Sequence, residues 1–179
     1  VMRMLGEMAT ANPSTGSFAD YARATVCLAA RDQPHMVFLE VCQGNPTFQM
    51  RLEVGARVPY GMTALGRAYH CGLPEGARTA MLEEHRKTGR KEDWEGFRAS
   101  FEKAVREYQK HGFCVSLGEW NKDVYSVAVP LVSRDHSKIL ALTCSGPPFE
   151  MPRQRIFEEL GPRLIQLRDR LTAATGGNF

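Results

Sequence analysis

Three hydroxyls and one helix start are the groups of this chain best suited to chemistry. Ser126, Thr143 and Ser145 fall within Val124–Pro148, VYSVAVPLVSRDHSKILALTCSGPP. This stretch reads as two β-strands joined by a polar turn at Arg134–Ser137 and ended by Gly146-Pro147-Pro148. If Ser133 pairs with Lys138 across a four-residue loop, all opposing pairs share one sum and the faces can be read off. One face carries Val127, Val129, Leu131, Leu140, Leu142 and Cys144, and suits packing beneath helices. The other carries Ser126, Ala128, Pro130, Ala141, Thr143 and Ser145. A buried face of such short, partly hydroxylated side chains has two uses. It lets a helix approach closely, or it leaves room for a small molecule that needs hydrogen bonds.

The helix start is at Thr63. The opening turn of a helix presents backbone N–H groups without acceptors and a partial positive charge. With Thr63 and Ala64 small, an anionic or carbonyl group can come close. Set over the small-residue face, this turn makes a pocket with N–H donors on one wall and the hydroxyls of Ser126, Thr143 and Ser145 on the other. The alternative is an ordinary helix start satisfied by a threonine cap.

Other chemistry is poorly supplied. No glycine loop able to cradle phosphate is present, since Gly55 and Gly61 are isolated. His70 and Cys71 are adjacent, so on a helix they point apart, and no matched pair completes a metal site. A cysteine nucleophile needs a base or a helix N-terminus beside it. Cys144 falls on the bulky face and reads as an inert core thiol, whereas Cys114, at a strand start, is expected to be more exposed. Glu119 and Asp123 flank a loop and offer carboxylates, which a solvated turn explains equally well. No catalytic set, metal site or cofactor site is expected.

The rest of the chain must position these groups. At 179 residues it is long enough for one domain with a real core. A net charge of +3, with acids and bases interleaved, gives no case for a nucleic-acid surface. No apolar run approaches a membrane span, and no signal-peptide pattern is present. Five widely spaced cysteines without a C-x-x-C predict free thiols in a reducing, cytoplasmic setting.

In order, Val1–Ala11 is a helix-forming segment and Asn12–Gly16 carries turn chemistry. A short helical or irregular piece at Phe18–Arg23 precedes predicted strands at Thr25–Arg31, Met36–Cys42 and Thr47–Leu52. Val54–Pro59 reads as a loop. Helices are predicted from Thr63 through Tyr69, from Leu73-Pro74-Glu75 to about Lys87, and over Asp93–His111. The last carries Trp94, Phe97, Phe101, Val105 and Tyr108 at helical spacing, a core stripe. Phe113–Glu119 returns to strand. After the hairpin, Arg153–Ala174 is helical, with Ile156, Leu160, Leu164, Leu167 and Leu171 on one stripe. Strands, helices, strands and a helix make an α+β domain on an antiparallel sheet.

Two blocks of this sequence resemble a known family. VGARVPYGMTALGRAYHCGLPE is similar to the segment of isocitrate lyase regulator (IclR) family proteins that reads roughly G-x-R-x-P-x-x-x-T-A-x-G-[KR]-A, with L-P following. REYQKHGFCVSLGEWNKDVYSVAVPLVSRDHSKILALTCSGP resembles the second block, a helix exit R-x-x-G-[YF] leading to E-x-x-x-G-x-x-x-[IV]-A-x-P and a hairpin closing in S-G-P. The similarity runs from about Thr25 to Thr175, in order and at matching spacing.

The resemblance implies a GAF-like effector-binding domain, with a central antiparallel sheet and helices on both faces. A non-catalytic ligand sensor is the leading reading, and the alternatives are a GAF-like thiol-dependent enzyme and a ligand-free oligomerisation module. Residues 1–22 would then be the tail of an inter-domain linker helix and linker, and 23–179 the effector-binding domain. An N-terminal winged helix-turn-helix, absent from this chain, would contact DNA. A small organic acid or aromatic metabolite would be the effector, and self-association would give a dimer or tetramer. The positions matching the family's pocket are Thr63, Ala64, Leu65, Ser116, Val124, Ser126, Thr143 and Ser145. Ser116 stands where relatives often have an acid, and Asp123-Val124 where glycine is common, which predicts a differently shaped loop.

Overall fold

Side chains alternate along the strands of a six-stranded antiparallel sheet, and that alternation sorts the core into two layers. The computed structural model describes residues 17–44, 52–88 and 94–179. Helix α1 (Phe18–Ala22) leads into β1 (Thr25–Asp32) and β2 (His35–Gln43), and the short β3 (Arg57–Pro59) follows. Three helices come next: α2 (Ala64–Gly72), α3 (Glu75–Thr88) and α4 (Trp94–His111). Strands β4 (Cys114–Leu117), β5 (Tyr125–Val132) and β6 (Ile139–Gly146) complete the sheet, in the order β3-β2-β1-β6-β5-β4. The last helical segment is α5 (Arg153–Arg155), a π-helical turn (Ile156–Leu160) and α6 (Gly161–Thr175).

The hairpin has the expected register. Ser126 faces Ser145, Ala128 faces Thr143 and Leu131 faces Leu140. The Ser133 N–H donates 2.9 Å to the Lys138 carbonyl and closes the four-residue turn. Within the turn, Asp135 accepts the Ser133 hydroxyl and the Ser137 N–H and hydroxyl, and these bonds hold its carboxyl down to about 2.

This register sends Val127, Val129, Leu131, Leu142 and Cys144 into a fully buried layer with Ile156, Leu160, Leu164, Leu167 and Leu171. Burying each of those large aliphatic side chains contributes roughly 1.5–3 kcal/mol. The sequence predicts one unbroken helix here, and the structure differs. Pro162 has no N–H to donate, and its ring would collide with the carbonyl four residues back. The backbone widens into the π turn just before it, and the apolar stripe stays in place. Helix α1 falls within the residues assigned above to the linker, and its Ala19 and Ala22 are buried in this same layer.

On the opposite face, Cys27, Ala29, Ala128 and Ala141 lie beneath α2 and α4, with Ala64, Leu65, Ala68, Phe101 and Ala104. Near the end of α2, a β-carbon on Gly72 would come within 2.8 Å of the Pro130 ring. Close helix packing is therefore realised over this half of the small-residue face.

Two expectations need correction. Arg57–Pro59, read as loop, pairs with β2 through Met36 and Val58 as an edge strand. A single inward residue, Val58, is too short a pattern to show alternation. Cys114, expected to be more exposed, is fully buried because α2 and α4 cover β4. Of the predicted strand Thr47–Leu52, residues 47–51 lie outside the described residues, and Leu52 is not in a strand.

Candidate functional site

Helix α2 starts where it does because of Thr63. Its backbone is extended, and its Oγ1 accepts the Gly66 N–H at 3.2 Å while donating 2.8 Å to the Pro59 carbonyl. The cap leaves the Ala64 and Leu65 N–H groups without acceptors inside the helix. They sit at its positive end.

That end stands over the Ser126, Thr143 and Ser145 end of the hairpin, where close packing stops. A cavity opens there, with about 310 Å³ of empty volume counted out to its mouth. Thr63, Ala64 and Leu65 form one wall, and Ser126, Thr143 and Ser145 another. Phe38, Leu52, Val58, Trp120 and Val124 supply apolar surface. Among the described residues, no lining residue carries a charge. The Thr143 hydroxyl donates 3.0 Å to the Val127 carbonyl and lies 3.2 Å from Ser145 Oγ, so the hydroxyls are already oriented.

Seven of the eight residues singled out from the sequence thus surround one space. Ser116 does not. It is buried beside the cavity, with its hydroxyl 2.9 Å from Glu119 Oε2 and 3.2 Å from the Met62 carbonyl. Sequence reasoning missed Phe38, Leu52, Val58 and Trp120. Phe38 had a usable signal in the alternation with Met36 along β2, whereas Trp120 sits in an irregular loop that carries none.

Glu119 is no free loop carboxylate. Burial works to raise its pKa, but the Arg67 guanidinium, the Ser116 hydroxyl and backbone N–H groups outweigh that and hold it below the usual range. Arg67 itself is buried, giving Nη1 to the Val115 carbonyl at 2.5 Å and Nε to Ser100 Oγ at 3.2 Å.

Deeper beneath α2, His70 Nδ1 lies 3.3 Å from the Tyr60 hydroxyl and the ring packs 4.4 Å from Phe101, as a core histidine. Burial, then the charge of Arg78, pushes it down to about 4. Cys71 and Cys114 place their sulfurs 3.6 Å apart in the same layer. Among the described residues no group of His, Cys, Asp and Glu could hold a metal ion, and no helix is long and apolar enough to cross a membrane.

An antiparallel sheet covered on both faces by helices, with a cavity under one helix start, defines a GAF-like α+β domain. Residues 5–172 match the family described as bacterial transcriptional regulator IclR C-terminal, and the chain belongs to that family. Its members are transcriptional regulators, not enzymes. The chain is 30% identical over 169 residues to the HTH-type transcriptional regulator TsaQ1/TsaQ2 of Comamonas testosteroni, covering 93% of this chain and 60% of that protein. It matches an IclR family transcriptional regulator from Brucella abortus with a TM-score of 0.84 and 37% identity, over 97% of this chain and 61% of that one. The chain thus spans about three fifths of these relatives. A double mutant of the PobR inducer-binding domain from Acinetobacter, in complex with 3-hydroxybenzoic acid, shares the fold (TM-score 0.69, 17% identity, 96% of this chain, 97% of that one).

Proposed function

We propose that this domain senses a small organic acid or aromatic metabolite, with an aromatic monocarboxylic acid as the leading candidate. One observation carries the reading: a cavity opens where the α2 start faces the Ser126, Thr143 and Ser145 hydroxyls, and the rest of its described lining is apolar. The α2 N–H groups and the Ser126, Thr143 and Ser145 hydroxyls would receive a carboxylate, and Phe38, Val58, Leu65 and Trp120 would enclose a ring. With no cationic side chain among the described lining residues, a single negative charge can be balanced by amides and hydroxyls. A second charge would be left without a partner. The inducer-domain relative crystallised with 3-hydroxybenzoic acid supports a ligand of this class.

The domain, residues 23–179 together with the packed helix α1, would work with a helix-turn-helix domain that contacts DNA, and as a dimer or tetramer. The acid shifts DNA affinity only through different affinities for two arrangements of that assembly. The free thiols suit a reducing cytoplasm. Calorimetric titration of this domain with hydroxybenzoates, benzoate, short aliphatic monocarboxylates and dicarboxylates tests the reading. Saturable heat with one site per chain is expected for aromatic monoacids, and tighter binding of a dicarboxylate would contradict it.

A further inference from the structure

We propose that Glu119 is a positioning residue that seats Trp120 as the closing wall of the cavity, with Arg67 as the anchor. This deepens the ligand-sensing reading and rests on it. Arg67 lies one turn into α2 from Thr63, and its bonds to the Val115 carbonyl and Ser100 fix the guanidinium whatever the loop does. Glu119 then supplies the counter-charge, with Oε1 at 3.2 Å from Arg67 Nη1. Its other oxygen accepts the Ser116 hydroxyl at 2.9 Å and the Leu117 N–H. Donors from α2 and β4 thus converge on one carboxylate in a loop.

The loop has little else to hold it. Gly118, with a positive φ of 88°, turns the chain out of β4, and the next five residues, from Glu119 to Asp123, are exposed. Its internal bonds, Asp123 N–H to Asn121 Oδ1 and Val124 N–H to the Asn121 carbonyl, shape the turn without tying it to the body. Trp120 follows Glu119 directly, is 38% exposed and lines the cavity. Glu119 does not line the cavity, so its bonds act on the site through Trp120. A wall fastened by an ion pair on one partly exposed carboxylate opens at a small cost compared with unfolding the core.

The test needs no effector, so its failure leaves the ligand-sensing reading standing. Trp94 and Trp120 are the two tryptophans, and a Trp94→Phe background isolates the emission of Trp120. Acrylamide quenching is then compared with and without Glu119→Gln, which keeps the shape and removes the charge. The expected result is a rise of about twofold or more in the quenching constant, with emission moved to the red. The cooperative urea transition is retained, so the globally unfolded fraction in buffer is too small to contribute. An unchanged quenching constant and emission maximum would overturn the proposal. Should Glu119→Gln fail to fold, Ser116→Ala, which removes one donor to the same carboxylate, is judged on the same two readouts.

Discussion

A β-carbon on Gly66 would lie 1.7 Å from the carbonyl oxygen of Tyr60. The first turn of α2 therefore rests directly on the backbone leaving β3, and Thr63, bonded to the Pro59 carbonyl, cannot follow if the helix lifts. Gly66→Ala is expected to destabilise the domain by about 2–3 kcal/mol, because backbone must move to relieve the overlap. Urea denaturation checks this, and a loss below about 1 kcal/mol would mean that α2 slides freely over the sheet.

Thr143 serves both the fold and the cavity, since its hydroxyl donates to the Val127 carbonyl and meets Ser145. Thr143→Val keeps the shape and removes that donor. A stability loss of about 1 kcal/mol is expected, with about tenfold weaker binding of an aromatic acid by titration calorimetry. Unchanged affinity would place the carboxylate away from the hydroxyl wall.

His70 makes the domain sensitive to mild acid. Its folded pKa, about 4, lies below the ordinary 6.5, so the unfolded chain takes up a proton first as pH falls. This contribution to stability is full above the unfolded value and is lost between there and about 4. The expected loss is about 2 kcal/mol by pH 5. Glu119, whose pKa is lowered, acts in a separate window, losing its contribution as pH falls through the acidic carboxylate range. Urea midpoints at neutral pH and near pH 5 measure the slope. His70→Gln, which can still bond Tyr60, should remove most of it.

The thiols are expected to be inert in the native state. Burial pushes Cys144 up to about 12 and raises Cys27 and Cys42, and the bond to Cys71, then burial, raises Cys114. All five cysteines should react with an aromatic disulfide reagent in urea, and less than one equivalent should react rapidly in buffer. Fast native labelling of Cys71 and Cys114 would contradict the burial described for that pair.

The hairpin and the α2 start were legible because each rests on local chemistry: side-chain alternation with a countable turn, and a threonine cap. Close packing occurs over Pro130 and Ala141, and a cavity opens at Ser126, Thr143 and Ser145. Which end would do which depends on where α2 lands, and no local pattern encodes that. The π turn before Pro162 and the Glu119–Arg67 pair were illegible for a related reason. The first needs the competition between a missing N–H and a buried stripe, and the second joins residues 52 positions apart. Trp120 lies in the irregular loop after β4, where no local pattern marks it as a cavity wall.

The claim on which the account depends is that the space between the α2 start and the hairpin admits a guest. The most direct measurement is the melting temperature of the domain against rising concentrations of hydroxybenzoate, for wild type and for Ser126→Leu, which fills the space from the hairpin side. Binding to the folded state alone should raise the wild-type Tm with ligand concentration, and Ser126→Leu should abolish the rise while remaining folded. A rise of equal size in the filled variant, or none in wild type for any aromatic or aliphatic monoacid, would contradict it.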